Sequence, residues 1–277
     1  MLEINGTEYK LCLLDTNIIS EIIKNRDDEF AKYFNNFFHD GFLPCFSLFS
    51  VIELQQRPDL FSKFLDIFSV FPSVVLKGHS QIFDEEIENY PDFNIINPLL
   101  LSPVAIEPYK NLSKRQTIEL VFKSEPYLSL SKRYLGSRNS DLDELIANSK
   151  TYLPKKDKYS EDEIWLYMQT FVLRHLLLTK KTFTDTKKGK EVINIDAFPS
   201  QLMMAYSIFY KFYEDRQRKP SQSDVFDIII SALVPYVDAF ITERNQADAI
   251  QKIRNKKRSF LPDIKILTIK DLRSLSI

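Results

Sequence analysis

Six acidic side chains stand where apolar segments of the sequence end or begin. They are Asp15, Glu53, Asp224, Asp227, Asp238 and Glu243. Ligands of open α/β sheets bind in a crevice outside the carboxyl ends of the parallel strands, so we expect these acids to converge there. Several carboxylates, without cysteine and with few histidines, favour hard cations that prefer oxygen ligands. The acids therefore predict a site for Mg²⁺ or Mn²⁺.

The first two acids follow predicted strands. Residues Tyr9 to Leu14 form a short apolar run that is typical of a buried parallel strand, and Asp15 comes directly after it. A second short strand is predicted over Phe42 to Phe46, and Ser47 is suited to cap the helix that follows. Glu53 lies about two turns into that helix.

The remaining acids belong to the last quarter of the chain. A helix predicted from Asp224 carries Asp227 one turn later, so both carboxylates fit the same face. Asp238 and Glu243 flank a short strand predicted over residues 239–242. These positions place all four acids next to a strand or in the first turn of a helix.

Strands and helices alternate at both ends of the chain, which predicts an α/β fold with a mainly parallel sheet between helices. Neither end alone supplies a sheet large enough to bury, so the two ends must meet in space. We expect residues 1–75 and 220–277 to form one discontinuous domain. Residues 76–219 are broken by prolines and alternate basic with aromatic residues, which predicts a large, mostly helical insertion that binds substrate or a partner.

The middle segment has few clear elements. Ser160 and Glu163 spell a capping box, in which the two side chains satisfy free amide groups at the start of a helix. Residues 184–191 are polar and rich in lysine, and we interpret them as a loop. Leu202 to Tyr213 is apolar on most faces, which predicts a buried helix.

The composition excludes several classes of protein. The chain has 277 residues, of which 44% are hydrophobic and 27% charged, as in globular proteins. Only five glycines are present, and no glycine-rich phosphate-binding motif occurs, which argues against dinucleotide-binding and P-loop chemistry. The net charge of −1 means that any contact with nucleic acid must come from a local basic patch.

The sequence predicts a protein without a targeting signal. Its N-terminus has no signal-peptide pattern, and no apolar run reaches about eighteen residues. We therefore expect a cytoplasmic protein that has no membrane partner. The two cysteines lie inside apolar runs, which argues against a disulfide scaffold and a cysteine zinc site.

The acidic residues and their surroundings resemble the PIN domain nucleases. The apolar strand that runs into Asp15-Thr16-Asn17 resembles the family's opening motif, and Ser47 followed six residues later by Glu53 resembles the second. Two further segments are similar to the third and closing motifs: Asp227-Ile-Ile-Ile-Ser-Ala232 and Asp238-Ala-Phe-Ile-Thr242-Glu243. The likeness covers about residues 1–75 and 220–277. Glu243 stands where Asp is commoner, and the middle segment is far larger than the family's short connection.

This resemblance implies a PIN-like three-layer α/β/α fold and an endoribonuclease that hydrolyses phosphodiester bonds with Mg²⁺ or Mn²⁺. Paired cations would activate a water and neutralise charge on the leaving oxygen. The implied metal ligands are Asp15, Glu53, Asp224, Asp227, Asp238 and Glu243, of which Asp15, Glu53, Asp227 and Asp238 are catalytic. Asn17 and Thr242 would orient ligands or substrate. A toxin or defence effector with an antitoxin or defence-system partner fits this chemistry.

Other interpretations stay open. Asp15 is also a good helix cap, and acids in the first turn of a helix are favoured by its dipole. A PIN-like fold that has lost catalysis, and serves as a nucleic-acid- or protein-binding scaffold, would explain Glu243 and the large insertion. A phosphatase of the haloacid dehalogenase-like type also opens with an apolar strand and an Asp, but it needs a second Asp where Asn17 stands.

Basic residues interleaved with tyrosines predict a groove for nucleic acid, expected to be RNA. The residues that we single out are Arg133, Arg138, Lys155, Lys156, Lys257 and Arg258. With the net charge near zero, a solvated surface explains these clusters about equally well. The 22 Phe and 13 Tyr residues are an aromatic surplus that is compatible with a homodimer interface.

Overall fold

The computed structural model describes residues 2–4, 6–24, 41–92, 94, 96–149, 156–187, 192–214, 221–255 and 260–274. Its strands are β1 (Leu2–Ile4), β2 (Thr7–Leu14), β3 (Phe42–Ser47), β4 (Val74–Leu76), β5 (Leu99–Leu101), β6 (Ala239–Ile241) and β7 (Lys265–Leu267). Its helices are α1 (Thr16–Lys24), α2 (Leu48–Gln55), α3 (Pro58–Phe68), α4 (His79–Glu88), α5 (Lys114–Phe122), α6 (Glu125–Ser149), α7 (Glu161–Thr179), α8 (Lys181–Lys187), α9 (Pro199–Phe209), α10 (Gln222–Ser231), α11 (Arg244–Arg254) and α12 (Ile269–Ser274).

The strands form a mostly parallel sheet in the order β5-β4-β3-β2-β6-β7. Strand β5 is antiparallel to its neighbour at one edge, and β1 pairs antiparallel with the first half of β2. Leu14 of β2 lies opposite Ile241 of β6, which confirms that the two ends of the chain meet. Strands β3 and β4 lie on one side of β2 in the sheet, whereas β6 and β7 lie on the other side. The carboxyl ends of β2 and β6 therefore form a topological switch point, where ligands of such sheets bind.

Helices cover both faces of the sheet. Alternate side chains of β2 point to opposite sides, because successive residues of a strand do so. Leu11 and Leu13 pack with α7, α9 and α10, whereas Cys12 and Leu14 pack with α1, α2, α3 and α5. The α/β fold with a mainly parallel sheet is thus confirmed. No helix in the ranges described combines the length and the apolar composition needed to cross a membrane.

The middle segment contributes directly to this architecture. It supplies the edge strand β5 and the helix α9, whose residues are almost all buried in the larger hydrophobic cluster. This agrees with the buried helix predicted over Leu202 to Tyr213, although its last part, Tyr210–Glu214, is π-helical. The division of the chain at residues 76 and 219 stays a prediction.

A buried acid anchors the start of α9. Glu86 of α4 is fully buried, and its carboxylate accepts hydrogen bonds from the backbone N–H and the hydroxyl of Ser200, each at 2.7 Å, and from the Tyr236 hydroxyl. Burial raises the pKa of Glu86 to about 7, although these hydrogen bonds lower it. Because Ser200 lies in the first turn of α9, the carboxylate holds that helix in place for the residues that follow it.

Local predictions were confirmed at helix starts and were wrong at one loop. Ser160 accepts from the backbone N–H of Glu163, and the Glu163 carboxylate accepts from that of Ser160, as the capping box requires. Residues 184–187 of the predicted polar loop belong to α8 instead, and residues 188–191 lie outside the described residues. Only Lys180 separates this short helix from the end of α7, and Lys187 of the predicted loop is on the helix.

Candidate active site

Asp15 lies at the carboxyl end of β2, at the switch point. Its backbone N–H donates to the carbonyl oxygen of Ile241 at 3.0 Å, and its own carbonyl accepts from the N–H of Ile19 in α1 at 3.0 Å. The side chain is only 3% exposed. Its Oδ2 accepts a 2.8 Å hydrogen bond from Oγ1 of Thr242, which follows β6. The pairing of β2 with β6 therefore brings these two predicted site residues into contact.

The electrostatic surroundings of Asp15 are unfavourable for its charge. The pKa of Asp15 is raised from 3.8 to about 7, chiefly by burial and also by the negative charges of Asp227 and Glu243. Hydrogen bonds from Thr242 and from the backbone N–H of Thr16 act in the opposite direction. Buried acids whose pKa is shifted by nearby like charges are characteristic of functional sites, although structural networks produce such shifts as well.

Asp224 and Asp227 lie one turn apart on α10 and share a lysine. Lys211 Nζ donates to Oδ2 of Asp227 at 2.7 Å and to Oδ1 of Asp224 at 3.0 Å. Asp224 is fully buried, and its Oδ2 accepts from the backbone N–H and hydroxyl of Ser221 at 2.9 and 2.8 Å. Asp224 thus caps α10, whereas Asp227 is 22% exposed and lies close enough to Asp15 for its charge to raise the pKa of Asp15.

Glu243 and Asn17 form the exposed side of the site. Asn17 in the first turn of α1 donates through Nδ2 to Oε1 of Glu243 at 2.6 Å. Glu243 directly precedes α11. One turn later, Gln246 donates through Nε2 to the backbone oxygen of Asp227 at 3.4 Å, and its Oε1 lies 3.2 Å from the Thr242 hydroxyl. These contacts join the starts of α1 and α11 to α10.

Asp238 does not join the other acids, and its predicted convergence with them is wrong. It precedes β6, and its Oδ2 accepts from the backbone N–H of Leu11 at 2.8 Å. Four residues at about 3.3 Å each place Asp238 about 13 Å from Thr242 along the strand. The amino ends of parallel strands lie at the opposite edge of the sheet from the carboxyl ends. Asp238 therefore satisfies the backbone of β2 and is remote from Asp15.

Glu53 lies on α2, the helix that contacts the start of α1. Ser47 caps α2 through a 2.8 Å bond from the N–H of Ser50, and Thr16 donates to the Ser50 hydroxyl at 2.9 Å. Glu53 lies one turn after Ser50, so it shares the face that meets α1. The carboxylates that raise the pKa of Asp15 are nevertheless Asp227 and Glu243.

The predicted basic groove is only partly covered by the described residues. Arg133 is exposed on α6, and Lys156 pairs with Glu163 at the start of α7. Four further residues of this prediction have side chains that lie outside the described part: Arg138, Lys155, Lys257 and Arg258. The ion pair reduces the charge that Lys156 would offer to a phosphate, and the groove stays a prediction.

A cavity of about 460 Å³ opens beside the acids, in the size range of ligand sites. Asp227 and Glu243 lie on its wall together with Lys211 and Gln246, which the sequence analysis did not single out. Lys211 lies outside the segments that carry the resemblance, so no motif marked it. Gln246 is a single amide in a helix and has no distinguishing pattern.

The donor chemistry suits a hard cation, but the ligands are not assembled around one point. Among the described residues, no group of three or more His, Cys, Asp or Glu side chains is placed to hold a metal ion. One oxygen of Asp227 is bound to Lys211, and one oxygen of Glu243 is bound to Asn17. Carboxylates of this kind are ligands of Mg²⁺ and Mn²⁺, so the set fits such a cation if these side chains turn towards Asp15.

Comparison with known proteins gives no relative: no family model, no curated protein and no solved structure matches the chain. The function of the protein therefore has to be inferred from the geometry and the charges of this site.

Proposed function

We propose that the protein is a PIN-like endoribonuclease that hydrolyses phosphodiester bonds with Mg²⁺ or Mn²⁺. The observation that carries the proposal is the buried Asp15 at the switch point of the sheet, whose pKa is raised to about 7 by burial and by the charges of Asp227 and Glu243. Such clustering costs free energy because like charges repel. A divalent cation would offset that cost. The position of Asp15 at a switch point supports the proposal, because ligands of open α/β sheets bind at such points.

In this proposal Asp15 and Asp227 hold the cation, with Glu243 as a third ligand. The bound cation would activate a water and stabilise charge on the transferred phosphate. The other residues position these ligands. Thr242 orients the Asp15 carboxylate by donating to its Oδ2, and Asn17 orients Glu243 in the same way. The adjoining cavity is where we place part of the substrate strand.

The biological setting follows the same proposal. RNA is the substrate suggested by the resemblance, and a role as a toxin or defence effector implies a protein partner that controls the activity. The exposed side of the site, at Asn17 and Glu243, and the cavity beside it would be accessible to both. Glu53 enters the ligand set only if α2 or its side chain approaches Asp15.

The test is cleavage of mixed-sequence single-stranded RNA and DNA by the purified protein, with Mg²⁺, Mn²⁺ or a chelator. We expect metal-dependent cleavage of RNA that disappears in Asp15→Asn and in Asp227→Asn. Asp238→Asn is the matched control, because it changes the same chemical group at the opposite edge of the sheet and should keep the activity. Cleavage that persists in both site variants would refute the assignment.

A catalytically inactive PIN-like scaffold is the second candidate. It is favoured by the ion pair of Lys211 with Asp227 and by the bond from Asn17 to Glu243, which occupy the carboxylates without any metal. If the protein is an inactive scaffold, wild type and the Asp15→Asn variant should bind RNA or a protein partner with the same affinity. Titration calorimetry that detects Asp15-dependent binding of Mn²⁺ would argue against it.

A further inference from the structure

Lys211 brings a positive charge into the site from outside the segments that resemble the PIN domain nucleases. It lies in the π-helical segment Tyr210–Glu214, which continues α9. Single π-helical turns inside helices are frequent at functional sites. The side chain is 13% exposed, so its ammonium group is held inside the molecule rather than in solvent.

Packing between the helices determines where Lys211 points. Ser207 of α9 and Ser231 of α10 are joined through their hydroxyls at 2.8 Å. Four residues after Ser207, Lys211 reaches Asp227, which lies four residues before Ser231. The two helices therefore run antiparallel, with these pairs at successive turns. This register directs Lys211 towards Asp227, so the contact is fixed by helix packing and is not a transient contact of a flexible surface side chain.

The carboxylate of Asp227 interacts with both Lys211 and Asp15. Asp227 accepts a hydrogen bond from the ammonium group of Lys211 at Oδ2, at 2.7 Å, and its negative charge also raises the pKa of Asp15. An ammonium group has three hydrogen-bond donors and one positive charge, so it can neutralise a carboxylate as a cation does. It cannot accept the additional oxygen ligands that Mg²⁺ or Mn²⁺ takes. Lys211 therefore stands in for part of the charge of a metal ion but not for its coordination.

We propose that Lys211 is a tethered competitor of the divalent cation for Asp227, and that it sets the affinity of the site for that cation. This inference rests on the proposed function. A cation held by Asp15 and Asp227 must share Asp227 with the ammonium group or draw the carboxylate away from it. Repulsion between the two positive charges weakens cation binding in either case. Lys211, in the middle segment of the chain, would thus lower the affinity for a cation of a site that the two ends of the chain form.

A purely structural ion pair and a positioning role both lead to other outcomes. If Lys211 only joins α9 to α10, its removal lowers stability and leaves the affinity for a cation unchanged. If Lys211 instead holds Asp227 in the geometry that the cation needs, its removal weakens binding. Only a competitor gives tighter binding when it is removed, so the sign of the change separates the three roles.

The experiment is titration calorimetry of the full chain with Mn²⁺ as the probe. We expect Lys211→Met to bind Mn²⁺ at least about tenfold more tightly than wild type, because a positive charge close to the cation is removed. Lys252→Met is the matched control. Lys252 lines the same cavity, but it is 59% exposed and its Nζ lies 3.4 Å from Glu214, so its removal should change the affinity less than about twofold.

A second variant is needed in case Lys211→Met does not fold. Lys211→Met leaves the buried Asp224 without the ammonium group, so the double variant Lys211→Met/Asp224→Asn removes both charges, and it should show the same tighter binding. Circular dichroism shows which variants are folded. Asp15→Asn in each background should abolish the binding.

Two negative results are distinguishable. Unchanged or weaker binding in the folded lysine variants, with Asp15-dependent binding in wild type, overturns the role of Lys211 and leaves the proposed function intact. Absence of Asp15-dependent binding in every variant, wild type included, overturns both.

Discussion

Replacing Asp15 with Asn should make the folded protein more stable at pH 8 when no divalent cation is present. The pKa of Asp15 is raised from 3.8 to about 7 in the folded state, chiefly by burial and then by the charge of Asp227. The folded protein therefore binds this proton more tightly than the unfolded chain does. The stability that the proton contributes is complete below about pH 4 and is lost as the pH rises through about 7.

The interval between the two pKa values determines the magnitude. At about 1.4 kcal/mol for each pH unit, the interval from 3.8 to about 7 corresponds to about 4 kcal/mol. Asn has nearly the same shape as Asp, carries no charge, and accepts the hydrogen bond from Thr242 through its Oδ1. We therefore expect the free energy of unfolding of Asp15→Asn, relative to wild type, to rise by about 2–4 kcal/mol between pH 4 and pH 8. Comparing two pH values cancels any effect of the amide that does not depend on pH.

Urea denaturation followed by circular dichroism, in a chelator and across this pH range, measures the difference. A difference that stays constant with pH would refute the reasoning, because it would mean that Asp15 does not lose its proton in this range. Addition of Mn²⁺ at pH 8 then tests whether the cation binds at Asp15. A ligand at 100 times its Kd stabilises the folded state by about 2.7 kcal/mol, and this gain should appear in wild type only. An equal gain in Asp15→Asn would show that the ion binds elsewhere.

Three further outcomes are expected. Burial also raises the pKa of Glu86, so deprotonation of Glu86 should lower the free energy of unfolding of wild type as the pH rises from about 4.5 to 7. Urea denaturation of Glu86→Gln should show a smaller decrease over the same pH range. Thr242→Val removes the bond to Asp15 and should reduce RNA cleavage at least about tenfold, whereas Thr242→Ser should restore it, since a lost buried hydrogen bond to a charged group costs about 1.5–3 kcal/mol. Ser47→Ala removes the cap of α2 and should lower the free energy of unfolding by about 1 kcal/mol, whereas an unchanged urea midpoint would contradict the role of the hydroxyl.

Local patterns in the sequence were sufficient for the elements next to the site. The apolar run before Asp15 is the end of β2, and Ser47 caps α2, as predicted. Both signals depend on neighbouring residues alone: a run of side chains buried on both faces of a strand, and a hydroxyl three residues from the amide that it caps. The α/β class could be predicted for the same reason. The roles of the acids in binding a cation and in catalysis stay predictions.

Only the tertiary structure decided which side chains meet. Asp238 looked equivalent to Glu243 in the sequence, but the direction of β6 carries it to the opposite edge of the sheet. Lys211 had no motif around it, and it reaches Asp227 because α9 and α10 pack antiparallel in one register. Strand direction and helix register are set by contacts between residues far apart in the chain, and no local periodicity encodes them. The sequence by itself therefore determined which acids were available, and long-range packing determined which of them meet and that a lysine lies among them.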